Sequence, residues 1–216
     1  MAPPASQKKI TLRSIYLKFF SYFHKKIKKD LSGCASVLDL GCGFNSPVQY
    51  CDVPFKVGVE PFDPYLQISK EKKIHDQYIS EDIRTVSFKP KSFDATMMVD
   101  VIEHLTKEDG YALLKKMEGW SKKKIIIVTP NGYVYQDGYD NNELQSHKSG
   151  WTTQDFKDAG FKVFGLDGYK NLRGYLGAVN YKPAIVWRII SYLTQIGTFF
   201  YPEAAFKLYA VKNLDN

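Results

Sequence analysis

The stretch Val37–Gly43 reads VLDLGCG: a short apolar run with an aspartate inside it and two glycines at its end. Glycines there let the backbone come close to a ligand, and the amides that follow favour negative or polar groups. Glu60 stands 21 residues after Asp39, at the end of the next β-rich run. A carboxylate in that place can accept both hydroxyls of a ribose. A glycine at position 46 would complete a dinucleotide-binding turn, but Ser46 is there instead, which argues against a dinucleotide. Three more pieces follow in order: Asp82 in SEDIR, then SFDATMMVDVIEHL with Asp100, Glu103 and His104 at its end, then IIIVTPNGY. His104 is the best general-base candidate, because an unperturbed imidazole takes up a proton near neutrality. The competing reading makes it part of a helix start and a pocket wall.

The elements that must position these groups alternate. Ser36–Leu40, Lys56–Glu60, Gln77–Ser80, Phe93–Val99, Lys124–Thr129, Phe161–Leu166 and Ala205–Val211 read as strands. Phe93–Val99 is mostly apolar, as a strand covered on both faces is. Helices are expected over Pro64–Lys73, Lys107–Trp120, Thr152–Ala159 (opened by a Thr cap and ended by Gly160) and Ala184–Phe200. Strands and helices at this spacing predict an α/β fold with a parallel sheet covered on both sides. Residues 10–31 read as a further helix, with Leu12, Tyr16, Phe19, Phe23 and Ile27 on one face and Lys18, Lys25 and Lys29 on another. The expected organisation is a basic tail and amphipathic helix over 1–34, then one domain over 35–216 with a hydrophobic insertion at about 167–203 that overhangs the ligand end.

Taken in order, VLDLGCG, the acidic end of the second strand, SEDIR, FDATMMVDVIEHL and IIIVTPNGY resemble the class I S-adenosylmethionine-dependent methyltransferases, over about residues 35–165. The resemblance implies a Rossmann-like, seven-stranded, mostly parallel sheet with helices on both faces and an antiparallel last strand. It implies S-adenosylmethionine as cofactor. Gly41, Cys42 and Gly43 would line its methionine and ribose portion, and Asp39 would orient its amino group. Glu60 would take the ribose hydroxyls, with Pro61 beside the adenine. Asp82 would accept from the adenine amine while Ile83 packs on the ring, and Asp100 would sit near the methionine end and the acceptor. Position 45 is Asn where many members carry glycine; Asn tolerates a positive φ better than most residues. Asp100-x-x-Glu103-His104 also resembles the ExxEH element of magnesium-dependent ubiquinone and small-RNA 2′-O-methyltransferases, and His147 lies in a segment similar to the second histidine region of the latter. No metal is assigned, since position 100 is the shorter Asp and many relatives with an EH pair need none.

Composition narrows the acceptor. Of the 216 residues 44% are hydrophobic and 25% charged, values of a folded globular chain. The net charge of +7 resides in residues 1–33, and the rest sums to zero, so nucleic acid is not the expected partner. Cys34, Cys42 and Cys51 form neither a disulfide framework nor a zinc motif, which fits a reducing, cytoplasmic compartment. The opening MAPPASQKK reads as a tail without a secretory core, and the longest uncharged apolar run, Ile189–Pro202, is too short to span a bilayer. The aromatic-rich helix over 184–200 has three readings: a lid over the acceptor pocket, a homodimer face, or a peripheral membrane contact. His24 and His75 read as solvated. The expectation is methyl transfer to the oxygen of a small acceptor, hydrophobic or lipid-linked. The alternatives are a magnesium-dependent RNA 2′-O-methyltransferase and a non-catalytic interaction protein on the same fold.

Overall fold

The computed structural model describes residues 22–174 and 177–214. Seven strands form one sheet: β1 (Ser36–Leu40), β2 (Phe55–Val59), β3 (Gln77–Ile79), β4 (Phe93–Val99), β5 (Ser121–Pro130), β6 (Lys162–Tyr169) and β7 (Ala205–Asn213), in the order β3-β2-β1-β4-β5-β7-β6. The pairs β2–β3, β1–β2, β1–β4 and β4–β5 are parallel, while β7 runs antiparallel between β5 and β6. The chain order reverses between β1 and β4. Ligands of open parallel sheets bind at that reversal, beyond the carboxyl ends of the strands.

Alternation along the buried strands gives each face its own core. Leu38, Met98, Ile125 and Ile127 pack under α3 (Lys107–Trp120) and α4 (Thr153–Asp158), through Leu113, Met117, Trp151 and Phe156. Val37, Met97, Ile126 and Tyr209 point the other way, toward Ile27 of α1 (Tyr22–Asp30) and Leu31. Among the described residues the remaining α-helices are α2 (Asp63–Glu71) and α5 (Ala184–Phe200). Thr106 caps α3, and Thr152 with Asp155 forms a reciprocal capping box on α4. The helix expected over 10–31 is present from Tyr22; residues 10–21 lie outside the described residues.

Three elements run past their expected ends, β7 by two residues to Asn213. β5 begins at Ser121 because the polar SKKK still pairs with β4 and β7, its lysine ammoniums reaching Asp94 and the Asp30 carbonyl. β6 continues to Tyr169, and there α5 lies against it. A β-carbon at Gly165 would collide with the Thr198 carbonyl, and one at Gly168 with that of Ser191. Helix and strand thus meet at backbone distance. The fully buried side chains of α5 are polar, while the half-buried Phe199 stacks on Phe164 of β6: Gln195 bonds both the Gly165 carbonyl and the Gly168 amide, and the Thr194 hydroxyl accepts from the Tyr169 amide.

Candidate active site

The glycine turn leaves β1 with φ of +67° at Gly41 and +54° at Gly43. The amides of Gly41 and Cys42 both donate to the Val59 carbonyl, at 2.8 and 3.0 Å, so the turn is tied to the end of β2. A β-carbon on Gly41 would come within 2.6 Å of the Val101 side chain, so glycine is required there by backbone angle and by space.

Beneath the turn lies a buried polar network. Asp39 accepts from the Ser46 hydroxyl at 2.5 Å and meets His75 Nε2 at 2.9 Å. Ser46 in turn accepts from the Val48 amide and caps the short helix Pro47–Tyr50. The expectation that His75 is solvated is therefore wrong. Gly58 has no side chain, and a β-carbon there would press on the His75 ring and on Cys42 Sγ at 2.9 Å. His24 is half-buried, its ring edge-on to Tyr50 at 5.2 Å.

Glu60 is pre-oriented from the backbone. Oε2 accepts from the Gly43 amide at 3.0 Å and Oε1 from the Phe62 amide at 2.9 Å. Burial lifts this carboxyl above the ordinary glutamate value even with those two bonds. Hydroxyl donors from a bound diol would offset that burial. Burial also pushes the Cys42 thiol up, away from any reactive thiolate. Asp82 holds its carboxylate against Arg84, whose hydrogen bonds keep it below the usual range.

At the other end Asp100 sits at φ +54° and pairs both oxygens with Lys207 of β7, at 2.9 and 2.7 Å. Close by, His104 Nδ1 lies 3.2 Å from the Ser146 carbonyl and His147 Nδ1 2.5 Å from that of Val134. A carbonyl only accepts, so each Nδ1 carries the proton and each Nε2 keeps a lone pair. Burial drives His104 down to about 4, and the neighbouring His147 adds to this. Buried Glu103 accepts from the Thr129 hydroxyl at 2.9 Å; burial first and the Asp100 charge second push its carboxyl upward.

One ligand-type atom from each of Glu103, His104 and His147 lies within 4.8 Å of the others. Neutral imidazoles with Nδ1–H fixed by carbonyls are what a metal-binding pair needs. The set fits a divalent ion, and two nitrogens suit zinc, iron or manganese at least as well as magnesium. Asp100, grouped with Glu103 and His104 by sequence spacing, turns its carboxylate to Lys207 instead.

The structure brings Asp39, Gly41, Cys42, Gly43, Glu60, Pro61, Asp82, Ile83, Asp100 and His104 to the wall of one cavity of about 520 Å³. Residues that local sequence did not single out join them: Tyr65, Arg84, Gln136, Asn142, Arg173 and Lys207. Lys207 is the partner of Asp100 across 107 positions, a separation at which no spacing rule operates. The cavity lining includes Asp167 of β6 and Arg173 and Gly177 from the loop after it, but no described residue of α5. The insertion reaches the cavity through its loop and not its helix.

A methyltransferase-domain family model matches residues 38–128, from β1 through β5. With the sheet order and the glycine turn, it supports a class I S-adenosylmethionine-dependent methyltransferase domain over those residues, with S-adenosylmethionine as the cofactor. The cradle fits that cofactor: two positive-φ glycines clear space at the end of β1, and a buried carboxylate held by backbone amides faces the same cavity. An uncharacterised protein of Methanocaldococcus jannaschii is 25% identical over 159 residues, covering 72% of this chain and 67% of that one. Among solved structures the fold is similar to a SAM-dependent methyltransferase from Archaeoglobus fulgidus, with TM-score 0.55 and 18% identity over 94% of this chain and 100% of that one. It is also similar to the plantazolicin methyltransferase BpumL in complex with SAH, with TM-score 0.52 and 17% identity over 85% and 77% of the two chains. Among the described residues no helix is long and apolar enough to cross a membrane.

Proposed function

We propose that this chain methylates a hydroxyl oxygen of a small amphiphilic or lipid-linked acceptor, with His104 as the group that takes the proton. The observation that carries the reading is a neutral imidazole, with Nδ1 committed to the Ser146 carbonyl, on the wall of the cavity that also holds the glycine turn and Glu60. Bound S-adenosylmethionine supplies an electrophilic methyl group whose sulfur departs as a neutral thioether. Glu60, Gly41 and Gly43 hold that donor in place. His104 Nε2 accepts the hydroxyl proton as the oxygen–methyl bond forms. Asp100, fixed by Lys207, shapes the wall beside it. Orientation of two bound partners supplies most of the rate gain in such transfers, so one weak base suffices. The amphiphilic character of the acceptor rests on the apolar surface of α5 beside the insertion loop that reaches the cavity.

A second reading has one observation in its favour, the cluster of Glu103, His104 and His147. There the two imidazoles and the carboxylate would hold a divalent ion that lowers the pKa of the acceptor hydroxyl, as for an RNA 2′-hydroxyl. The neutral charge balance of residues 34–216 speaks against an RNA substrate. One experiment separates the two: transfer of labelled methyl from S-adenosylmethionine to cell-extract fractions sorted into lipids, glycans, RNA and small metabolites, with and without chelator. The first reading requires label in lipids or small metabolites that survives chelation and is lost in His104→Ala. Label confined to RNA and abolished by chelator would replace it with the second.

A further inference from the structure

Helix α5 is amphipathic in the inverted sense. Its buried positions are polar, Ser191, Gln195 and Thr198, and they face β6. Its outward positions are Ile185, Ile189, Leu193, Ile196 and Phe200, each between 55% and 71% exposed. Steps of four, four, three and four residues put these five on one stripe, roughly 20 Å long at 1.5 Å per residue. A stripe of that kind on a helix built into the fold is a surface made to be covered.

The charges around it say by what. Residues 170–202 contain Lys170, Arg173, Lys182 and Arg188 and no carboxylate. Residues 1–29 contain eight lysines and arginines and no carboxylate. The described end of that second segment reaches α5 directly, the Tyr22 ring lying 5.9 Å from Phe199. The helix that bears the stripe thus lies in one sequence stretch that is cationic and free of acids, and it touches the described end of a second. At the border Trp187 packs on Tyr181 with ring centroids 4.7 Å apart, an aromatic pair of the sort that suits a boundary between apolar and wet regions. A second copy of this chain is a poor occupant, because pairing the stripes would bring like-charged flanks together without an acid to neutralise them.

We infer that α5 docks this protein on an anionic lipid surface, lying in the interface with its stripe among the acyl chains and the exposed Lys170, Lys182 and Arg188 on the headgroups. Arg173 ties this helix to the cavity, donating from Nε to the Ser191 hydroxyl and from a terminal nitrogen to the Gly177 carbonyl, while Arg173 and Gly177 both line the cavity. Docking therefore sets the cavity rim beside the bilayer. That consequence deepens the proposed acceptor class and rests on it; the docking itself does not.

The test is co-sedimentation of the full chain with phosphatidylcholine vesicles, with and without phosphatidylserine, for wild type and Ile189→Asp/Leu193→Asp. Both positions are exposed, so the variant keeps the fold, which its melting temperature and its S-adenosylhomocysteine affinity check independently of any acceptor. The expected result is binding to the phosphatidylserine vesicles that weakens with salt and falls about tenfold or more in the variant. Wild type that stays in solution with anionic vesicles, or a variant that binds them equally, overturns the inference. A dimer seen by sedimentation in wild type and lost in the variant assigns the stripe to a second copy and overturns it also. Failure of the vesicle assay with intact methyl transfer would leave the active-site reading standing, and loss of methyl transfer to every fraction would leave the docking standing.

Discussion

An imidazole that is to take a proton must be neutral when the acceptor arrives. Burial gives His104 a pKa of about 4, so at neutral pH the base form is fully present. Its activity is lost only as pH falls toward that value. With S-adenosylmethionine saturating, kcat/KM for the acceptor is expected to show an acid limb as pH falls toward about 4, where His104 protonates. His104→Ala should lower kcat by about 10²–10⁴ while leaving S-adenosylhomocysteine affinity unchanged. An acid limb that persists unchanged in the variant would remove His104 from the chemistry. At this scale the sequence exposes groups whose partners are near in the chain. Gly41, Gly43 and Glu60 are legible because strand, turn and strand end recur at fixed spacing. His75 is not: its partner Asp39 is 36 positions away, and only the absent side chain of Gly58 lets the ring reach it. Lys207 is hidden for the same reason, being delivered by the last strand.

Elements carry their own signals, and here they are strong. β1, β4, α3 and α5 occur with the boundaries their patterns imply, since each is a clean apolar run or a helical period with a marked end. What the pattern misleads about is direction. The apolar stripe of α5 would ordinarily face a core, yet β6 is an edge strand whose backbone needs partners, and only the polar side of the helix supplies them. Gln195 alone satisfies a buried carbonyl and a buried amide. Gln195→Leu should leave both unpaired, at about 1–3 kcal/mol each, despite adding apolar volume. The loss should appear as a lower melting temperature and as faster hydrogen exchange at the Gly168 amide. Unchanged exchange at that amide would mean the helix is held by other contacts.

On the scale of the whole molecule, the cofactor turn sits where β1, β2 and β4 meet, so whatever fills it braces the centre of the sheet. The turn is bonded to the Val59 carbonyl, its Gly43 amide to Glu60, and Asp39 below it to Ser46 and His75. Ligand occupancy there is linked to global unfolding, not to a loop alone. At a free S-adenosylhomocysteine concentration of about 100 times Kd the native state gains about 2.7 kcal/mol. For a chain of this length that is a rise in Tm of roughly 5–10 °C, readable by calorimetry. In Glu60→Gln the side chain keeps its size, but its amide group must confront one of the two backbone N–H donors and offers a weaker acceptor to a diol. The shift at the same ligand concentration should then nearly vanish, whereas His104→Ala should keep it. A full shift in Glu60→Gln would mean that the carboxylate does not grip the ligand, and the geometry around Gly43 would then serve only to hold the turn.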